Sequence, residues 1–554
     1  MREIKIKCLN NNKTLYVPKG ATVSEVAEIF DVRLPNPIIG AIVNNSIREK
    51  SFEFYHPKTV KFIDLTHADG MRIYTRSLFF ILYAAIKELF PDAKLQIEHS
   101  VSKGYYCELE NFDGELDIQT VFKIGKKMKA IVEANIPFVL ENEETERVIE
   151  IFDKYGFKDK KELIEHRGQY YTSYYKMGEH VGLFYGYLAP STGCIDVFDL
   201  NKYYNGMLLQ VPKKSEPAEV EELIIQDKMF EIFKEFKEWN KVLNITHISD
   251  LNRVAASGNT EEIINVSEAL QEKKIAQIAD MIALRRNKTK IVLISGPSSS
   301  GKTTFGKRLA IQLLVAGIKP INLSLDNYFV DREFTPKDEN GDYDFEALEA
   351  VDLKFFNEQM VALLEGHEVE IPLFSFEKGK RFFDGSKLKM DSDNILIIEG
   401  IHGLNSKLTK DILPESVFKI YISALTSIKI DDLSRVPTTD NRLLRRILRD
   451  YKYRNYSARD TISRWASVRR GEEQHIFPFQ EEADVMFNTA LLYELAVLKP
   501  FVEPVLLEVN PNQPEYSEAT RLLKFLSYFK PILSDNIPPT SILREFLGGS
   551  SFTY

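Results

Sequence analysis

Cysteine is scarce in this chain: Cys8, Cys107 and Cys194 are the only three in 554 residues, far apart and without a C-x-x-C pair. That excludes a disulfide framework and a thiolate zinc knuckle, and it fits a reducing compartment. Long hydrophobic runs are lacking as well. The nearest, Leu78 to Ile86, falls well short of the ~20 residues that a membrane helix needs, so no membrane contact is expected. Met1 to Lys7 hold no apolar stretch of the kind a secretory leader uses, and a cytoplasmic location is expected. A surplus of positive charge is missing too: 72 Lys and Arg against 81 Asp and Glu leave −9, which removes any global pull toward nucleic acid. The local basic run Lys123, Lys126, Lys127 and Lys129 reads as a solvated helix face. There is no internal repeat and no low-complexity tract. What is left is an ordinary globular composition, 44% hydrophobic, at a length that suits about three or four domains.

One stretch stands out from that background. An apolar run, Ile291 to Ile294, reads as a buried parallel strand, and a helical pattern follows from Thr304 to Val315. Between them lie Gly296, Pro297, Ser298, Ser299, Ser300, Gly301, Lys302, Thr303 and Thr304, which fit G-x-x-x-x-G-K-[ST]. Glycines let the backbone wrap an anion, and the helix N-terminus adds partial positive charge. Lys302 is then expected to reach the β/γ-phosphates of ATP, and the Thr303 hydroxyl to ligate Mg²⁺. The lysine is expected to be solvated while no nucleotide is bound.

Further along, Pro320 to Asp326 reads as a second strand that closes on a carboxylate, 24 residues past Lys302. That spacing leaves room for one helix and one returning strand, so Asp326 belongs at the C-terminal edge of the sheet, where open α/β sheets bind ligands. A carboxylate there can deprotonate an attacking hydroxyl. A third strand, Asn394 to Glu399, also closes on an acid, the pattern that holds Mg²⁺ directly or through water. His402 reads as a hydrogen-bonded structural residue. A cationic helix follows, with Arg442, Arg446 and Arg449 on one face and Asp450 as the only acid between Arg442 and Arg459. It is read as a mobile arginine lid that closes on phosphate.

The organisation along the chain divides as follows. Residues 1–67 read as a small mixed α/β unit: a hairpin of Ile4–Leu9 and Thr14–Val17, a helix over Thr22–Phe30, and strands near Pro37–Val43 and Thr59–Asp64. Residues 68–212 form a second unit that opens on a helix with Leu78, Leu82, Ala85 and Leu89 on one face. Lys213 to Val220 is charged and proline-bearing, the start of a helical linker over 213–287. A doubly wound α/β domain over 288–511 and a helical tail over 512–554 complete the chain. A fragment cut near 213–220 is expected to keep its nucleotide site.

Two family resemblances rest on these motifs. Gly296–Thr304, Ser324–Phe329, Glu399–Gly403 and Arg442–Asp450 continuing to Ala483-Asp-Val485 follow the order of the uridine kinase/phosphoribulokinase family. That resemblance implies a P-loop kinase with Asp326 as general base, Glu399 as a magnesium-associated acid and Arg446 as a lid arginine that meets substrate. It also implies Tyr328, Glu346, Phe374, Arg381 and Arg449 as substrate contacts, with Glu346 on ribose hydroxyls and Pro372–Phe376 to Arg381 beside the base. Three departures alter the base-reading groups: Phe374 replaces a tyrosine, Gly379 a histidine, and Tyr456 a second lid arginine.

In the N-terminal half, Lys87–Leu95, Gly104-Tyr-Tyr, Ile136-Pro-Phe and Ala189–Gly193 resemble threonyl-tRNA synthetases. The resemblance implies a TGS-like β-grasp domain followed by an α+β editing-like domain. The positions of the family's metal-type pairs fall on Arg76, Phe80, Phe184 and Leu188, none of which supplies a thiolate or imidazole. Editing chemistry is therefore not expected. The expected activity is transfer of a phosphate from ATP to a small-molecule hydroxyl, uridine first. A phosphoribulokinase-like sugar or polyol kinase, or a tRNA- or ribosome-associated nucleotide switch, is the alternative. RNA contact through the N-terminal domains and self-association into a homo-oligomer are the other partner expectations.

Overall fold

The computed structural model describes residues 3–337, 341, 343–375 and 377–553. Near the N-terminus, Glu3–Cys8 buries Ile4, Ile6 and Cys8 on alternate positions, the period-two pattern of a half-buried strand. It pairs antiparallel with Thr14–Pro18 and parallel with Lys58–Ile63. Gly40–Val43 and Ser46–Arg48 complete a five-stranded mixed sheet. The single helix on it, Val23–Ile29, opens on a capping box in which Thr22 and Glu25 satisfy each other's backbone N–H. This is the β-grasp arrangement that the sequence leads one to expect.

The helix Ala68–Leu89 follows, buried along most of its length from Ile73 to Ile86. It packs beside a four-stranded antiparallel sheet of Asp199–Tyr203, Gly206–Gln210, Gly104–Glu110 and Lys94–Val101. A three-stranded sheet of His180–Gly182, Tyr171–Met177 and Val139–Glu144 lies in the same region. The chain then crosses without regular structure to Gln226 and enters three helices, Asp227–Val242, Ile248–Ser257 and Thr260–Leu284.

The C-terminal half is built on five parallel strands in the order Lys319–Ser324, Asn394–Glu399, Ile291–Ser295, Val417–Ser423, Val485–Asn488. Ile291–Ser295 is fully buried, as an apolar run flanked by strands on both sides must be. Because all five strands run the same way, the ends carrying Ser295, Ser324 and Glu399 share one edge. The loops that leave this edge hold Gly296–Gly301, Asp326 and Gly400–Gly403, so the fold gathers the motifs that the sequence scatters over more than a hundred residues.

The parts before and after the 213–220 stretch are not independent bodies. One hydrophobic core joins Val148, Phe152, Leu163 and Tyr174 to Leu443, Ile447, Val502 and Phe525. Lys160 and Asp431 form a fully buried ion pair at 2.7 Å across the same boundary, and Arg72 reaches Glu518 at 2.9 Å. A fragment cut near 213–220, which the sequence leads one to expect will keep its nucleotide site, would be cut out of this shared core. Removing the first half strips apolar cover and leaves Asp431 buried without its partner.

Candidate functional site: a phosphate cradle clamped by buried arginines

The loop after Ile291–Ser295 takes the shape of an anion nest. Ser299 sits at φ +58° and Gly301 at φ +84°, left-handed positions that turn successive backbone groups to one side. At Gly296 a side chain would run into the carbonyl oxygen of Ile422, so only glycine fits. The loop's carbonyl oxygens are held from outside. Arg442 Nε donates to the oxygen of Ser298 at 3.0 Å, Arg445 Nη1 to that of Ser299 at 3.4 Å, and Thr489 Oγ1 to that of Ser300 at 2.6 Å.

The arginines that do this are anchored by acids. Arg442 pairs with Glu472, and Arg445 binds Glu494 through two nitrogens, all four side chains being buried. Glu472 also accepts from the Ser298 N–H at 3.0 Å. The helix Thr438–Arg454 is therefore a packed brace, with Leu443, Leu444, Ile447 and Leu448 in the core. The expectation of a mobile lid is corrected: charge this deep stays only where it is paired, and the pairing fixes the helix. Arg446 and Arg449 remain on the side toward the cradle. Arg446 Nη1 donates to the Ser298 hydroxyl at 2.8 Å, and both arginines rest on Asp450, at 3.2 and 2.9 Å.

Lys302 is not solvated as expected. Its ammonium folds back on the loop and donates to the carbonyl oxygens of Gly296 and Pro297 at 2.9 and 3.2 Å. Burial holds it below the ordinary lysine value, against the pull of Glu399, Asp326, Glu346 and Glu545. Thr303 Oγ1 donates to Glu399 at 3.0 Å, joining the two residues read as metal-associated. Burial, with Asp326 and Glu545 adding to it, pushes the Glu399 carboxyl up to about 7, and Lys302 opposes the shift.

Asp326 lies in a short 3₁₀ turn just past Lys319–Ser324. Burial raises its carboxyl above the usual carboxylate range, while Lys302, Arg454 and Arg449 pull it back. Glu346 packs against Gly471, where a side chain would collide with it. Burial and the Glu472 charge push Glu346 up to about 7, with Arg446 and Lys302 opposing. The structure thus brings Lys302, Asp326, Glu346, Glu399 and Arg446 into one electrostatic neighbourhood.

Three of the expected substrate contacts lie elsewhere. Tyr328 is turned into the core, fully buried against Phe356, its hydroxyl donating to Gln359 at 2.9 Å. Arg381 donates twice to one oxygen of Asp352 at 3.0 Å, while the other oxygen caps the helix Leu353–Leu364. Its role is to pin a helix start, and the base-contact reading is corrected. Phe374 meets Phe329 edge-on at 5.6 Å. Phe376, the end of the expected base-contacting segment, lies outside the described residues. Gly379 has φ +64°, and the Arg332 side chain packs where a side chain at 379 would point. His402 is structural, as read: buried, bonded to the Ala347 carbonyl at 3.1 Å, and lowered to about 4 by burial.

Sequence reasoning gave no site role to Arg445, Glu472, Glu494 and Glu545. The first three carry a signal in hindsight, since two arginines facing inward on a helix need acids from elsewhere in the chain. Glu545 carries none. Its carboxylate accepts from Thr304 Oγ1 at 2.7 Å from 241 residues away.

The residues present fit a nucleotide triphosphate and a divalent cation. Ser299 Oγ and Ser300 Oγ are buried in the cradle without a hydrogen-bond partner, the orphaned donors that a phosphate would satisfy. Thr303 and Glu399 offer the hard oxygen ligands that Mg²⁺ takes. A magnesium ion held there would neutralise charge on phosphate oxygens.

In the N-terminal half the editing-like positions are filled by packing. Phe80 and Phe184 lie 5.4 Å apart and Phe80 stacks on Phe138 at 5.9 Å, with Leu188 buried beside them. Arg76 spends its guanidinium on the Tyr187 carbonyl at 2.9 and 3.1 Å.

Different stretches of the chain are similar to different known proteins. Threonine–tRNA ligase of Streptococcus mutans serotype c is 29% identical over 183 residues, 33% of this chain and 28% of that protein. The ligase of Streptococcus pyogenes serotype M5 is 29% identical over 182 residues, with the same shares covered. The chain thus spans less than a third of the length of these relatives, and the likeness lies in its N-terminal part. Among solved structures, D-glycerate 3-kinase from Cryptococcus neoformans var. grubii is 15% identical, covering 48% of this chain and 89% of that one at a TM-score of 0.22. The model of the Phosphoribulokinase / Uridine kinase family matches residues 291–492, the span that holds the cradle, both acidic strand ends and the arginine brace. On that match, and on the parallel sheet beneath it, residues 291–492 form a P-loop kinase domain of the Phosphoribulokinase / Uridine kinase family.

Proposed function

We propose that this protein transfers the γ-phosphate of ATP, with Mg²⁺, to a hydroxyl of a small molecule, a uridine-like nucleoside being the first acceptor to test. The carrying observation is Asp326: no hydrogen bond among the described residues engages its carboxylate, which lies in the field of Lys302 at the ligand-binding edge of the sheet. A switch that only binds nucleotide has no use for such a base. In this reading Asp326 accepts the proton of the attacking hydroxyl. Lys302 leaves the loop carbonyls for phosphate oxygens, and Arg446, already on Ser298, supplies fixed positive charge to the group in transfer. Glu346 faces the acceptor, and Arg449 supports Arg446 through their shared Asp450.

A second reading, a sugar or sugar-phosphate acceptor, is favoured by the groups that would read a pyrimidine. No imidazole stands at 379, and Arg381 is held by Asp352. The N-terminal regions, 1–67 and 68–212, are read as a TGS-like and a filled editing-like domain. They brace the kinase, and RNA is their candidate partner. A ³¹P NMR time course with ATP, Mg²⁺ and uridine tests the proposal. Growth of a nucleoside monophosphate resonance supports it; ATP left intact, or converted only to free phosphate, with uridine and with sugars alike contradicts it.

A further inference from the structure

Residues 541–553 run back over the phosphate cradle. Ile542 and Phe546 are buried in the core under the sheet, together with Ile294, Phe305 and Leu309. A side-chain carbon at Gly301 would lie 2.7 Å from Ile542 Cγ2, so the tail presses directly on the loop. The Phe546 ring lies 5.0 Å under the Arg445 guanidinium, the same group that holds the Ser299 carbonyl. Lys452 donates to the Leu547 carbonyl, and Lys307 on the P-loop helix donates to that of Thr553. These contacts tie the tail to the loop, to the helix after it and to the arginine brace.

The tail also completes a grip on the first turn of the helix Lys302–Val315. Thr303 gives its hydroxyl to Glu399 on the sheet side at 3.0 Å, and Thr304 gives its own to Glu545 on the tail at 2.7 Å. Consecutive helical residues point ~100° apart, so two carboxylates on neighbouring threonines hold that turn against rotation about its axis. The backbone N–H groups of this turn are the ones that face a bound phosphate. A carboxylate also suits the positive end of a helix, and Glu545 adds there to the charges that pull on the Lys302 ammonium.

We propose that residues 541–553 are part of the nucleotide site, and that Glu545 is a positioning residue which holds the P-loop helix in register through Thr304 while the triphosphate is bound. The inference rests on the ATP-dependent reading above. It assigns to the nucleotide site a segment that lies beyond residues 291–492, the stretch that the family match covers.

The test uses the full chain and MgATP. Hydrogen exchange over 541–553 is measured with and without MgATP, and MgATP affinity is measured calorimetrically for wild type, Glu545→Ala and Glu545→Gln. Nucleotide should slow exchange over the tail. Loss of the charge-assisted acceptor in Glu545→Ala should weaken MgATP by at least about tenfold. Glu545→Gln keeps an acceptor oxygen for Thr304 and should stay within about threefold of wild type, a rescue that separates positioning from general damage to the fold. MgATP binding to Glu545→Ala at wild-type strength overturns the inference, as does faster tail exchange on adding MgATP, which would make the tail a displaced plug. Failure of the wild type itself to bind MgATP would overturn both this inference and the kinase reading.

Discussion

Arg446 donates to the side-chain oxygen of Ser298 at 2.8 Å, which places a helix cation on the phosphate loop. The neighbouring Arg442 and Arg445 hold the same loop by its carbonyls and are themselves locked to Glu472 and Glu494. Two kinds of arginine thus share one helix, one structural and one free to act on a ligand, and they should respond differently to substitution.

Arg445→Met leaves Glu494 buried without its partner, and breaking a buried pair from one side costs about 3–5 kcal/mol. Thermal unfolding should show a large loss of stability. Arg446→Met removes a group that is only part-buried and that shares Asp450 with Arg449 and Arg454. Turnover should fall at least about a hundredfold with the melting temperature little changed. Equal melting losses in the two variants would contradict the division of roles.

Lys302→Ala should abolish turnover with the fold intact, because among the described residues the ammonium hydrogen-bonds only to carbonyls of its own loop. Circular dichroism and the melting curve should match wild type, and activity above roughly a few per cent would remove Lys302 from its assigned place.

Asp326→Asn keeps the shape but cannot take a proton. kcat should drop by roughly 10²–10⁴-fold while the ATP dissociation constant stays close to wild type. A collapse of ATP binding would instead make Asp326 a metal or structural residue.

The boundary between the two halves should be sensitive to acid. Lys429 and Lys237 hold the Glu98 carboxyl, which is nearly buried, at about 2, against burial that acts the other way. A carboxyl lowered from about 4.5 to about 2 contributes on the order of 3 kcal/mol, in full above pH ~4.5 and lost as pH falls toward 2. Urea unfolding between pH 6 and pH 3 should show stability declining with acid in wild type and a flatter profile in Glu98→Gln. Parallel profiles would exclude Glu98 as the source.

Much of this was legible in sequence because it is local. The strand Asn394–Glu399 and the loop Gly296–Thr304 declare themselves by an apolar run, glycines and an acid within a few residues. The directions in which side chains turn were not legible. Tyr328 follows Asp326 by two residues, yet packing against the helix Leu353–Leu364 sends it into the core. The arginine stripe read as a mobile lid because the acids that lock it, Glu472 and Glu494, lie on the next two helices of the chain. Glu545 approaches Thr304 only through the return of the tail, a long-range contact that no local pattern encodes.

The central claim is phosphoryl transfer to a small hydroxyl acceptor. It is tested most directly by ADP release, with Mg²⁺ and ATP, across nucleosides, sugars and sugar phosphates, using wild type beside Asp326→Asn. Acceptor-dependent ADP release with at least one compound, uridine first, lost in Asp326→Asn, is the predicted result. Release that no acceptor stimulates, or stimulation that survives in Asp326→Asn, would contradict it.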